Sequence, residues 1–296
     1  MIAIMNLDEA DHAWRTALAA RDPHAIERSL RHNAESTGVM QDDERLVQSE
    51  AARLRGLLLL GGYGDIPFDT DSPWEVPADA NLTEALESVW APVAERSPNF
   101  FSVLAAETLG LALVYLKGEY LLGYLHFEGG LEEPLRDLTD LPAYTEYSRL
   151  GVLWGTSPAR SDPTNPIRAL DESLPVPVGD LAGVHASLLS FDVGLRLDRL
   201  TVTLGALIRE HYESKDPADY VETHDFIRAL NGEFDRHVLL CACDSAAECY
   251  FLDMADRDPD GVPRIALSSI DGISERPGMS FCGWVDEELP SLIFGV

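Results

Sequence analysis

The sequence predicts an α+β protein: a helical N-terminal region, then an α+β domain with an antiparallel sheet and a closing C-terminal helix. Three observations predict it. Apolar residues recur at helical spacing behind capping signals in the first half. Short apolar runs joined by turn residues follow in the last quarter. Between them, GTSPARSDPTNP at residues 155–166 holds three prolines and almost no apolar side chain, the composition of a linker. The expected organisation is a mainly helical region over 1–154, a linker over 155–166 and an α+β domain over 167–296.

Asn6 precedes Leu7, Asp8 and Glu9, an Asn-x-x-Glu capping signature, and Leu7, Ala10, Trp14, Ala17 and Leu18 then share one helical face. Asp22-Pro23 opens a second helix, with Asp22 as cap and Pro23 in the first turn, where its missing N–H costs nothing. A third helix is expected over 43–60, with Leu46, Val47, Ala51, Leu54, Leu57 and Leu58 inward and Gly61-Gly62 as its end. Asn81 and Glu84 form another capping pair, opening a helix through Trp90, and Ser97-Pro98 opens one through Leu113 or beyond. Beyond the linker, helices are expected over 179–189 and 219–230. Strands are expected at 237–243, 248–253 and 264–270, and the closing helix at 279–289.

Charge is the unusual property. Among 296 residues, 51 acids face 22 bases, a formal net of -29. Residues 1–60 carry 10 acids and 7 bases, 61–200 carry 22 and 8, and 201–296 carry 19 and 7, so the excess is no acidic tail. Such a field repels nucleic acid and anionic membranes, whose binding needs clustered Lys and Arg. It attracts basic proteins and speeds their encounter. The same charge also serves solubility alone. No basic-then-apolar leader precedes Leu7, and the apolar stretch 103–127 is broken by Glu107, Lys117, Gly118 and Glu119, so a cytoplasmic protein is expected.

Asp256-x-Asp258-x-Asp260-Gly261 matches the opening of an EF-hand loop, but the twelfth position is Leu267 where a bidentate Glu belongs, and Pro263 stands at the eighth. It reads instead as an acidic hairpin turn, and Asp256, Asp258 and Asp260 are the candidate partner-binding residues. His237, Cys241 and Cys243 fall on one face of a regular strand, with Cys249 and Cys282 elsewhere in the chain. Without a Cys-x-x-Cys knuckle these read as buried thiols, and neither metal nor cofactor is expected. Hydrolase signatures are absent, so no catalytic residue is assigned.

From about residue 167 the order of features resembles the SUKH superfamily of bacterial immunity proteins. Leu174-Pro175-Val176-Pro177-Val178 leads into a helix with Asp180 and His185, as the family's Leu-Pro element does. Glu248 to Asp253 is similar to its strand phrase, the turn through Asp256 and Gly261 to its acidic loop, and Phe281 with Trp284 to its aromatic closing helix. The family's Asn-Gly after the first helix is missing near Leu189, and residues 1–165 lie outside the likeness. The resemblance implies a non-enzymatic protein that binds and neutralises a cognate toxin, and a basic nuclease toxin suits the charge. Two other classes stand beside it: an enzyme with a dispersed active site, and an intracellular scaffold with several weaker partners.

Overall fold

The computed structural model describes residues 7–36, 53–62, 65–116, 118–128, 135, 137–143, 149–158, 176–190, 193–197, 203–213, 232, 235–243, 248–269 and 272–295. Its centre is a ten-stranded antiparallel sheet in which spatial order follows chain order throughout. The strands are β1 (Arg53–Leu59), β2 (Gly110–Leu116), β3 (Glu119–Glu128), β4 (Arg149–Thr156), β5 (Ser187–Leu189), β6 (Val193–Arg196), β7 (His237–Cys243), β8 (Glu248–Arg257), β9 (Pro263–Ser269) and β10 (Gly272–Ser280). The helices are α1 (Leu7–Ala19), α2 (Pro23–Ser36), α3 (Leu82–Ala94), α4 (Pro98–Glu107), α5 (Val176–Val184) and α6 (Leu204–Glu213). A closing helical segment runs from Phe281–Gly283 through a π-helical turn, Trp284–Glu288, to Leu289–Phe294. The fold is α+β as expected, and no described helix is long and apolar enough to cross a membrane.

Capping chemistry places the helices where the sequence signals it. Asp22 Oδ1 accepts from the amides of His24 and Ala25 at the start of α2. Asn81 and Glu84 form a reciprocal capping box at α3. Two helices of the first half differ from expectation. Residues 53–59, inside the helix expected over 43–60, form β1, and α4 stops at Glu107, short of Leu113. In β1, Leu57 and Leu59 pack on one face and Leu58 on the other. A run apolar on both sides satisfies a doubly covered strand as well as a buried helix, and periodicity does not separate them. The region expected to be mainly helical thus also contributes β1 to β4. At 155–166, Gly155 and Thr156 complete β4, and residues 159–166 lie outside the described residues, as does the helix expected over 219–230.

The strands expected near 237–243, 248–253 and 264–270 are β7, β8 and β9. The helix expected over 179–189 ends at Val184, and Ser187–Leu189 is β5. A bulge between Leu239 and Cys241 breaks the alternation in β7. Leu240 and Cys241 both enter one core while Leu239 packs on the opposite face, so the bulge separates His237 from the face that carries Cys241. Among the described residues no cluster of three or more His, Cys, Asp or Glu could hold a metal ion.

Both faces of the sheet are covered. Helices α1 and α2 pack Trp14, Leu18, Ile26 and Leu30 against Ala112, Leu125 and Trp154. On the other face α3, α4, α5 and the closing segment bury a second core that reaches from Leu58 and Leu122 to Leu252 and Ile265. At its centre lies a chain of polar groups. Trp90 Nε1 donates to Tyr124 Oη at 3.0 Å, and Tyr124 Oη meets His185 Nε2 at 2.6 Å. His185 Nδ1 faces the Thr156 carbonyl at 3.0 Å. A carbonyl only accepts, so Nδ1 carries the proton and Nε2 accepts from Tyr124. Every polar atom of this chain is satisfied, which is what permits its burial. Burial, partly opposed by the bond to Thr156, pushes the His185 pKa down to about 4 and keeps the ring neutral.

Candidate functional site

Where α3, α5 and the closing segment meet, they leave a shallow groove at the surface of the second core. Three separated segments build it. The end of α3 brings Val93 and the turn after it Arg96, α5 brings Pro177, Asp180 and Leu181, and the closing segment brings Phe281, Cys282 and Val285. The enclosed space is about 10 Å³, room for one water and far too small for a substrate chamber. Apolar side chains make its floor. Val176, at the first residue of α5 beside Pro177, is 61% exposed and is the large apolar side chain left uncovered among the described residues.

The groove is held in register from across the molecule. Ser97 sits at the N-cap of α4 but makes no side-chain cap. Asp286, from the π-helical turn, does the work instead: its Oδ1 accepts from the amides of Asn99 at 2.7 Å and Phe100 at 3.0 Å. Asn99 Nδ2 in turn donates to the Asp286 carbonyl. A carboxylate there also favours the positive end of the α4 dipole. The closing segment is thereby bound to α4, and its first residues line the groove.

Charge surrounds the opening. Arg96 Nε lies 3.3 Å from Asp180 Oδ2, and Arg96 is half-exposed. Burial pushes the Cys282 thiol above its ordinary value. Arg96 opposes this, while Asp258, Asp180 and Asp260 reinforce it. The thiol therefore stays protonated near neutral pH, the wrong state for a nucleophile. The same influence puts the β8–β9 hairpin within electrostatic reach of the groove. Strand pairing explains it, because Ser280, immediately before the closing segment, pairs with Arg264 at the start of β9.

Of the three acids singled out in the sequence, each has a different position. Asp258 is partly covered, and its Oδ1 accepts from the amides of Asp260 and Val262, closing the turn that Gly261 completes at φ +81°. Asp256 pairs with Arg264 at 3.4 Å. Asp260 is exposed. None of these three acids lines the groove; Asp180 does, with Arg96 and Cys282, and sequence reasoning did not single these out as a site. Their only sequence signal is that Arg96 is the one base between residues 56 and 116.

One further carboxylate, Asp253, is buried. Asp253 accepts from the amides of Ala255 and Asp256, lies 3.1 Å from Arg236 Nη2 and 3.5 Å from His237 Nε2. Its cross-strand neighbours are His237 and Arg264. A carboxylate compensated in this way anchors the start of the β7–β8 ladder, since a buried charge requires such partners. Compared with protein-family models, with curated proteins and with solved structures, the chain returns no match.

Proposed function

We propose that this is a non-catalytic cytoplasmic binding protein that captures a basic protein partner stoichiometrically, as an immunity or antitoxin protein neutralises a toxin such as a nuclease. The observation that carries the reading is the charge: a formal net of -29, spread through the chain. Diffuse negative charge steers a cationic partner from a distance, and desolvated apolar contact then holds it. The likeness of residues 167–296 to the SUKH superfamily supports the same reading.

Affinity isolation of the tagged chain from cells of its source, eluted through a salt gradient and identified by mass spectrometry, tests it. The expected result is one abundant basic protein in a one-to-one complex, released by salt, whose toxicity on expression is relieved by this chain. Recovery of no such partner, or of several weak ones, would overturn the reading, the latter in favour of a scaffold.

A further inference from the structure

We draw no further inference here: the strongest candidate, the surface patch on the β2–β3 hairpin where the half-buried rings of Tyr115 and Tyr120 meet beside Arg55 and Asp69, is mixed in charge, and nothing in the structure shows what covers it.

Discussion

At His185 the imidazole ring has no room to spare. It lies over Gly155, where a Cβ would run into the ring, between Trp74 and Trp90 with centroids 5.3 and 5.5 Å away. Tyr124→Phe leaves Trp90 Nε1 without an acceptor and His185 Nε2 without a donor in a dry core, at an expected cost of about 2 kcal/mol by denaturant unfolding. His126 is a second buried imidazole. Its Nδ1 donates to the Phe127 carbonyl, its Nε2 has no partner among the described residues, and burial brings its pKa to about 4. Both rings are neutral when folded and titrate near 6.5 when unfolded. Between those values the unfolded chain binds more protons, so stability is intact above about pH 6.5 and falls as pH drops toward 4. Each ring contributes at most about 1.4 kcal/mol per pH unit in that window. Carboxylate protonation relieves repulsion among the acids only nearer pH 4, so unfolding midpoints measured from pH 7 to 5 are expected to fall. A flat profile there would contradict burial of the two rings.

Elements tell how far the sequence was legible. Helices α2 and α3 begin where Asp22 and Asn81 signal them, because a cap is a short-range device readable from a few adjacent residues. Strands β7 to β9 were legible because turn residues such as Asp258 and Gly261 bound them closely. The helix α4 differs. Its cap is Asp286, far along the chain, and nothing near Ser97 reveals it. Asp286→Ala is expected to cost about 1 kcal/mol in thermal or denaturant unfolding, whereas Asp286→Asn, which keeps an accepting oxygen, costs less. β1 was read as helix because its leucines are covered from both sides by elements distant in sequence. β10 carries Glu275, Arg276 and Pro277, which hide a strand from any apolar pattern. The groove was illegible for the same reason as the α4 cap: its walls come from three segments, and only tertiary pairing joins Cys282 to Asp180 and the hairpin.

For the molecule as a whole, charge and topology act on different properties. The ten-stranded meander and its two covered faces set stability through apolar burial, which salt affects little. The net charge of -29 sets encounter with other molecules and is strongly screened, since the Debye length is about 10 Å at 0.1 M salt. Raising salt is therefore expected to slow association with a cationic partner without unfolding the chain. The acidic field was plain in the composition, but composition holds no information on where a partner sits. The most direct measurement is the association rate of the purified chain with the basic partner proposed for it, across a series of salt concentrations. Steered capture of a basic partner gives a rate that falls at least about tenfold between low and high salt, with dissociation changing far less. A rate indifferent to salt would contradict capture of a basic partner by the acidic surface.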